Sequence, residues 1–381
     1  MTDDSPKVDR ARKLAALRGS ERVLSGSPLA ETAGERLARL AAEAGAGQLD
    51  QGVDVYGDGL VAELERRGAE LLGMEAAAFF PTGTMAQQVA LRCWAGRTGS
   101  PTVALHPLSH LEVHERGAYA QLSGLRAVHP TSRPRLPTAA EIRAFEEPFG
   151  TLALELPLRD AGFVLPSWAE LTEVVAAARE RDAVVHFDGA RLWECTSHFG
   201  VGLAEIAALA DSVYVSFYKS LGGLSGALLA GPAELVEEAA AWRHRYGGRL
   251  FQQWPAALSA LSGLDRELPR LPSYVAHAKV VAGALREAFG AAGVSWYRVH
   301  PEEPHTHQFQ VWLPYPAAVL EEAGVLLAER EGTWLFHSWR PGPVPGLSFT
   351  EVTVGASALD WTAAAVGEAV GVLLELVRGG G

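Results

Sequence analysis

Short apolar runs alternate with longer amphipathic stretches along most of this chain. The short runs predict strands, whereas apolar residues spaced three and four apart predict helices. This alternation is typical of an α/β protein whose sheet is mainly parallel. We predict strands at 76–80, 103–106, 151–155, 183–187, 212–216 and 226–230, and helices at 60–72, 85–94, 168–181 and 233–245.

The pattern changes in the last third of the chain. A long helix at 273–289 is followed by strands and helices in mixed order and by a closing helix at 361–377, which indicates a smaller α+β domain. We therefore divide the chain into an N-terminal segment, residues 1–49, a large sheet domain, residues 50–265, and a small C-terminal domain, residues 266–381.

The amino-acid composition mainly excludes classes of protein. The 381 residues include 33 Lys+Arg against 45 Asp+Glu, a net charge of −12, so no basic surface for nucleic acid is expected. The two cysteines, Cys93 and Cys195, are too few for a disulfide framework and fit a reducing cytoplasm. No stretch approaches the roughly 20 apolar residues of a membrane span. We expect a cytoplasmic protein that acts on a small molecule.

Two residues of opposite charge follow predicted strands. The β-branched run 184–187 leads to Asp188, and the strand 212–216 leads to Lys219 and paired glycines. Because parallel strands present their carboxyl ends at one edge, both side chains are expected there. The pair suits pyridoxal 5'-phosphate (PLP), for which a lysine forms the Schiff base and an aspartate keeps the pyridine nitrogen protonated. The alternative is a structural ion pair, which the joint pattern disfavours.

A turn of small residues, Thr82-Gly83-Thr84, joins the strand predicted at 76–80 to the helix that follows it. Free backbone N–H groups and the positive dipole end of a helix make an anion site, and threonine hydroxyls add bonds to a phosphate. The alternative is that threonine only caps the helix. The turn precedes the Asp188 and Lys219 strands, in the order that a PLP site needs. We assign to cofactor binding Lys219, Asp188, His110, Thr82, Gly83, Thr84 and Ser216.

Three histidines, His106, His110 and His114, recur at four-residue spacing after the strand at 103–106. A zinc site needs further ligands in a fixed tetrahedron, and a proline follows His106, so we predict no metal site. An imidazole stacked on a cofactor ring suits His110 or His106. A solvated loop histidine is the alternative for either residue.

These residues, in this order, resemble the threonine aldolase branch of the β-eliminating lyase family, which has the fold-type I PLP architecture of aspartate aminotransferase. The likeness rests on the turn at 82–84, the His-x-x-x-x-Glu segment from His110, the Asp-Gly-Ala-Arg signature at 188–191 and the lysine region at 218–222. The resemblance implies that Lys219 carries the Schiff base, Asp188 pairs with the ring nitrogen and His110 stacks on the ring. It implies that Gly83 and Thr84 hold the phosphate, and that Arg191 and Ser25 or Ser27 bind the substrate carboxylate.

The chain departs from the family pattern at residues that bind substrate. The family's Glu-Asn-Thr-His is replaced by Glu155 followed by Leu-Pro-Leu-Arg, and the histidine that contacts the threonine hydroxyl has no counterpart between Glu141 and Leu152. A second carboxylate-binding arginine is expected near 350–353 and is absent there. Arg340 and Arg159 are candidates to replace it, and we assign the role to Arg340.

By this resemblance we expect an enzyme that cleaves the Cα–Cβ bond of a β-hydroxy amino acid to glycine and an aldehyde. Catalysis would use Lys219, Asp188 and His110, with His110 or a water that it orders as the base. β-Elimination, transamination and racemisation stay open, because the same cofactor residues serve them all. A non-catalytic PLP-fold partner protein is a further alternative. The resemblance also implies a homodimer or homotetramer with sites completed across an interface.

Overall fold

The structure, a computed structural model, describes residues 8–27, 29–45, 49–50 and 52–379. The chain forms two compact units. The sheet unit is Ala38–Leu271, and the second unit combines Met1–Leu37 with Pro272–Gly381. Within the predicted N-terminal segment, residues 1–7, 28 and 46–48 lie outside the described residues.

The structure contains every strand and helix that the periodicity predicts in the sheet unit, together with short elements that it does not predict. The strands are β1 (Arg22–Val23), β2 (Ala76–Phe80), β3 (Thr102–Ala104), β4 (Arg126–Val128), β5 (Thr151–Glu155), β6 (Val184–Gly189), β7 (Ser212–Ser216), β8 (Ala227–Gly231), β9 (Arg298–His300), β10 (Gln308–Leu313), β11 (Thr333–Trp334), β12 (Arg340–Pro341) and β13 (Ser348–Thr353). The α-helices are α1 (Arg10–Gly19), α2 (Ala33–Glu43), α3 (Leu60–Leu72), α4 (Gly83–Thr98), α5 (His110–Val113), α6 (Ala118–Ser123), α7 (Ala139–Ala144), α8 (Trp168–Arg179), α9 (Thr196–Phe199), α10 (Leu203–Ala207), α11 (Ala233–Arg245), α12 (Trp254–Arg266), α13 (Leu271–Ala291), α14 (Ala317–Glu331) and α15 (Ala363–Gly379).

The sheet unit is built on one seven-stranded sheet in the order β2-β8-β7-β6-β5-β3-β4. Strand β8 is antiparallel to both of its neighbours, and every other pairing is parallel. Every residue of β5, β7 and β8 is buried, because helices cover both faces of such a sheet. The prediction of an α/β fold with a mainly parallel sheet is confirmed.

The strand directions bring several chain ends to one edge of the sheet. Because β2 and β7 are both antiparallel to β8, β2 runs parallel to β7, and its carboxyl end lies at the same edge as those of β6 and β5. Helix α4 begins directly after β2, where the Thr82 hydroxyl accepts a hydrogen bond from Met85 N at 3.2 Å. Apolar residues of α4, such as Val89, pack against Phe80 and Leu229 of the sheet. The start of α4 is thus fixed at this edge.

A buried histidine lies inside the sheet unit, two residues before Asp188. His186 Nε2 is 2.6 Å from Gln87 Oε1, and His186 Nδ1 is 2.7 Å from the Ser212 hydroxyl oxygen, which accepts a hydrogen bond from Trp94 Nε1. Burial lowers the pKa of His186 to about 4, although its hydrogen bond to Ser212 opposes this shift. The imidazole is therefore neutral in the folded protein at neutral pH.

Because His186 is neutral in the folded protein, we expect the protein to lose stability in mild acid. Below its usual pKa of 6.5, His186 binds a proton in the unfolded chain but not in the folded one, so acid favours unfolding. Between pH 6.5 and pH 4 this group lowers the free energy of unfolding by up to about 3 kcal/mol. Urea unfolding across that range measures the slope. His186→Gln, which keeps polar atoms but does not titrate, is expected to flatten it; an unchanged slope contradicts the assignment.

The second unit contains an antiparallel sheet in the order β12-β13-β10-β9 and a parallel pair of β1 with β11. Its buried core includes residues of α13, α14 and α15, among them Leu285, Leu320 and Leu373. No helix in the described part of the chain combines the length and the apolar character that a membrane-spanning segment requires.

Candidate active site

Three polar side chains meet in register at the carboxyl edge of the sheet. Asp188 of β6 lies beside Glu155 of β5 on one side and beside Tyr214 of β7 on the other. All three residues are buried, with exposed fractions of 2%, 7% and 3%. Burial, followed by the charge of Asp188, raises the pKa of Glu155 to about 7. The edge therefore holds two carboxyl groups that share one environment.

Lys219 is electrostatically coupled to both carboxyl groups. Burial and then the charge of Arg191 lower the pKa of Lys219 to about 8, while the charges of Asp188 and Glu155 oppose this decrease. Burial raises the pKa of Asp188, and the charges of Lys219 and His110 oppose that rise. The lysine and the aspartate, which the sequence analysis places together, are brought together by the structure.

The segment that follows Asp188 is hydrogen-bonded to the segment that carries Lys219. The Ser216 hydroxyl donates to the carbonyl of Ala190 at 2.7 Å, and Trp193 Nε1 donates to the carbonyl of Ser216 at 2.9 Å. The Ser220 hydroxyl donates to the fully buried carboxylate of Glu194. We name these three bonds the lysine-loop anchors. They fix the residues on both sides of Lys219.

His110 begins the short helix α5 at the same edge. Its backbone N–H donates to Glu155 Oε2 at 2.7 Å, and its Nδ1 lies 3.4 Å from Glu115 Oε1. The other Glu115 oxygen accepts a hydrogen bond from Gln88 at 2.6 Å. Burial acts to lower the pKa of His110, but the hydrogen bond with Glu115 and the charge of Asp188 raise it overall. His110 thus lies close enough to both Asp188 and Lys219 for their charges to influence its pKa.

The other candidate for ring stacking, His106, is held by its own loop. Its Nε2 lies 2.6 Å from the carbonyl of Arg133, and its Nδ1 accepts a hydrogen bond from Leu108 N at 3.0 Å. Both ring nitrogens are therefore engaged by backbone atoms. Among the described residues, no group of three or more His, Cys, Asp or Glu side chains is placed to hold a metal ion.

The turn at the start of α4 leaves room only for glycine at its second position. Thr82 caps the helix through its hydroxyl, and Thr84 is exposed in the first turn. A Cβ atom built on Gly83 would lie 2.1 Å from the Tyr214 hydroxyl. The first N–H groups of a helix have no acceptor within it, so this turn presents donors beside Tyr214. The arrangement suits a phosphate group.

This close approach predicts the effect of Gly83→Ala. The added methyl group must displace the Tyr214 ring or the start of α4, and such overpacking costs about 1–3 kcal/mol. We expect weaker PLP binding by about 10-fold to 100-fold, measured by fluorescence titration of the cofactor-free protein. Gly96→Ala, in the same helix, is the control, because a Cβ atom there would meet no described atom within 4 Å apart from its chain neighbours and its own helix backbone. Equal PLP affinity in both variants contradicts the prediction.

Two arginines lie near the lysine. The guanidinium carbon of Arg191 is 5.3 Å from the ring centroid of Phe163, and its Nε is buried without a hydrogen-bond acceptor in the described part of the chain. Arg159 also acts to lower the pKa of Lys219 through its charge, and its NH1 lies 3.7 Å from Asp160 Oδ1. A bound anion is the natural partner of the Arg191 Nε.

Ser25 and Arg340, the other predicted substrate ligands, belong to the second unit. Ser25 is buried, and its hydroxyl accepts a hydrogen bond from Thr353 N at 3.1 Å. Arg340 is exposed and pairs in register with Phe349 of β13, the strand in which the sequence analysis expects an arginine. Both assignments stay predictions.

Three buried polar residues of the site, Tyr214, Glu155 and Glu194, were not predicted as site residues from the sequence. Tyr214 precedes Ser216 by two residues on β7, so the alternation of a strand places both on one face. Glu155 ends β5, and β5 lies next to β6, the strand of Asp188. Knowledge of the strand order would therefore have identified Glu155 as a neighbour of Asp188. Glu194 has no local signal, because its contact with Ser220 depends on the tertiary fold.

The residues present fit PLP. An acidic and a basic side chain are buried at one sheet edge, and a helix start beside them offers backbone donors. Arg191 Nε has no acceptor among the residues that the structure describes. Fold and site together define a PLP-dependent enzyme of fold type I.

Comparison with known proteins specifies the family. The family profile described as Beta-eliminating lyase matches residues 38–301. A low specificity L-threonine aldolase of Escherichia coli (strain K12) is 34% identical over 244 residues, which cover 62% of this chain and 72% of that protein. A solved structure from Exiguobacterium sp. 255-15, provisionally assigned as an aromatic amino acid beta-eliminating lyase/threonine aldolase, is 34% identical with a TM-score of 0.86.

A solved structure from Listeria monocytogenes EGD-E, provisionally assigned as an L-allo-threonine aldolase, is 31% identical with a TM-score of 0.85. Each of these two structures covers 96% of this chain, which in turn covers 99% of theirs. The chain belongs to the β-eliminating lyase family and is a PLP-dependent lyase. The predicted family, fold class and cofactor are confirmed.

Proposed function

We propose that the protein cleaves the Cα–Cβ bond of a β-hydroxy amino acid, releasing glycine and an aldehyde. The observation that carries the proposal is the buried pair of Asp188 and Lys219 at the sheet edge, in a chain 34% identical to a threonine aldolase. PLP bound between these side chains supplies an electron-withdrawing ring that stabilises negative charge at the substrate Cα.

Each charged residue of the edge has a defined task in this proposal. Lys219, with its pKa lowered to about 8, has a substantial neutral fraction at slightly alkaline pH and would hold PLP through its aldehyde group. Asp188 would keep the pyridine nitrogen of PLP protonated. Arg191 binds the substrate carboxylate through guanidinium N–H groups, which restricts rotation about Cα and so selects the bond that breaks.

The remaining cofactor contacts come from α4 and α5. Backbone donors of Gly83 and Thr84, with the threonine hydroxyls, bind the phosphate. His110 would stack on the ring of bound PLP, and Glu115 Oε1, 3.4 Å from His110 Nδ1, holds the imidazole in place.

Product analysis tests the proposed function. The purified protein saturated with PLP is incubated with threonine and, separately, with phenylserine. Acetaldehyde or benzaldehyde, in equal amount to glycine, is the expected result. A keto acid formed instead, by β-elimination or transamination, overturns the assignment, as does racemised substrate alone. Absence of any turnover would favour a non-catalytic partner protein.

We also propose that the chain forms a homodimer or homotetramer. Five apolar side chains of the sheet unit are about half exposed, and Tyr56 N donates to the carbonyl of Phe251 at 2.9 Å, which joins the two segments that carry them. Such an exposed patch is typical of a protein interface. The patch consists of Val53, Val55, Tyr56, Leu250 and Phe251. Light scattering of the wild type and of Phe251→Asp, which is expected to lower the mass, tests it.

A cytoplasmic location is part of the same proposal. Cys93 and Cys195 are both buried and unbonded as free thiols, as expected in a reducing compartment. Fractionation of cells that express the protein, with antibody detection in the soluble cytoplasmic fraction, tests this location.

A further inference from the structure

A histidine and an aspartate form a hydrogen-bonded pair beside His110. His114 Nε2 lies 2.7 Å from Asp160 Oδ2, and the two side chains are 33% and 19% exposed. An ionised carboxylate can only accept, so the proton of a neutral His114 ring is on Nε2. Nδ1 is then the ring nitrogen that can accept a proton. Orientation of an imidazole by a carboxylate is the arrangement that general bases use.

The His114–Asp160 pair lies at the same sheet edge as the cofactor residues. The ring centroid of His114 is 5.2 Å from that of His110, one helical turn away on the loop after β3. Asp160 follows β5, the neighbour of β3, on a loop whose Arg159 N donates to Glu155 Oε1 at 3.2 Å. His114 therefore lies beside His110, and Asp160 follows Arg159 in the chain. Both His110 and Arg159 interact electrostatically with Lys219. Their partial exposure leaves the imidazole accessible to a substrate.

The reaction proposed above needs a base at the β-hydroxyl, and the sequence lacks the family's histidine for this contact between Glu141 and Leu152. The loop after Glu155, where the chain departs from the family pattern, contributes Asp160 instead. We propose that His114, oriented by Asp160, is the base that removes the proton of the substrate β-hydroxyl, in place of His110 or its water, which the sequence alone suggests. This assignment rests on the proposed cleavage of a β-hydroxy amino acid.

The proton and electron pairs balance as follows. The β-hydroxyl proton passes to His114 Nδ1, and the electron pair of the O–H bond becomes the second bond of the aldehyde carbonyl. The Cα–Cβ bond breaks, and its electron pair stays on Cα. A proton then replaces the lost carbon substituent at Cα, which yields glycine, and His114 returns its proton to solvent. No oxidant or reductant is required.

A surface hydrogen bond that only joins two loops is the competing explanation. Loss of such a bond would affect all reactions of the site alike. A base for the hydroxyl proton is needed for cleavage but not for proton exchange at the Cα of glycine, which has no hydroxyl group. The two explanations therefore predict different pairs of rates.

His114→Asn tests the assignment through those two rates. We expect phenylserine cleavage to fall by about 10²–10⁴-fold, the usual contribution of a general base, while solvent deuterium exchange into glycine, followed by NMR, stays unchanged. Asp160→Asn is expected to lower the rate of phenylserine cleavage by a smaller factor, again without slowing deuterium exchange into glycine. His244→Asn, an exposed histidine of α11, is the matched control and is expected to retain both rates.

A measurement without cofactor or substrate completes the test. Imidazole ¹⁵N NMR of the cofactor-free wild type is expected to show His114 as the Nε2-protonated tautomer, and Asp160→Asn is expected to lose that preference. The assignment is overturned by an Nδ1-protonated wild type, by unchanged cleavage in His114→Asn, or by equal losses of cleavage and exchange. Wild-type protein that exchanges glycine but releases no aldehyde overturns the proposed function itself, and the assignment with it.

Discussion

Lys219→Ala is expected to abolish the visible absorbance of the PLP-saturated protein and to reduce cleavage of phenylserine by more than about 10⁴-fold. The substitution removes the amine that bonds to PLP and a group able to transfer protons, the latter alone being worth up to that factor. Absorbance spectroscopy after removal of free PLP, combined with aldehyde detection, measures both effects. Borohydride treatment followed by peptide mass analysis should place the reduced PLP adduct on Lys219 in the wild type.

Lys279→Ala is the matched control for this lysine. Lys279 is exposed in the second unit and pairs with Glu303, so its removal should leave both absorbance and cleavage at wild-type levels. A Lys219→Ala protein that keeps the absorbance, or a wild type in which borohydride fixes PLP elsewhere, would show that another group binds the cofactor.

Asp188→Asn is expected to lower kcat for cleavage by about 10²–10⁴-fold. Removal of one partner from a buried charge pair costs about 3–5 kcal/mol, and here that partner also keeps the ring nitrogen protonated. The effect should fall on kcat more than on KM, because the carboxylate acts on the ring and not on the substrate. Steady-state kinetics with phenylserine give the two values separately.

The same substitution should alter Lys219. The charge of Asp188 opposes the decrease in the pKa of Lys219, so its loss should move that pKa further below about 8. The rate at which the cofactor-free protein takes up PLP depends on the neutral amine and should therefore reach its plateau at lower pH in Asp188→Asn. Asp211→Asn, another aspartate of the sheet unit, provides a comparison away from the edge. An unchanged pH profile in Asp188→Asn would mean that the two groups are not coupled.

The sequence was sufficient for the elements whose signal is local. Strand β5 and helices α3 and α11 begin and end at the predicted residues, because their apolar periodicity and flanking residues are strong. Strand β4 was missed because it is only three residues long and includes an exposed arginine, so its apolar run is too short to be recognised as a strand. The antiparallel direction of β8 was also beyond reach, because direction depends on pairing with β2 and β7.

The same distinction between local and tertiary signals applies to the residues of the site. Asp188 and Lys219 could be placed together because strand ends of a parallel sheet share an edge, and Gly83 because it follows a strand and begins a helix. The partners that tune or hold these residues could not be predicted. Glu194 and Asp160 each bind a side chain more than 25 residues away, and no periodicity reports such contacts.

The lysine-loop anchors have a consequence for cofactor uptake. Because three hydrogen bonds already connect the residues around Lys219 to the segment after Asp188, the cofactor meets side chains whose backbone is ordered beforehand. Little conformational entropy remains to be lost on binding. Calorimetric titration of PLP into the cofactor-free protein should consequently give a heat-capacity change no larger than that expected from dehydration of the cofactor and of the residues that cover it, and Ser220→Ala should enlarge it.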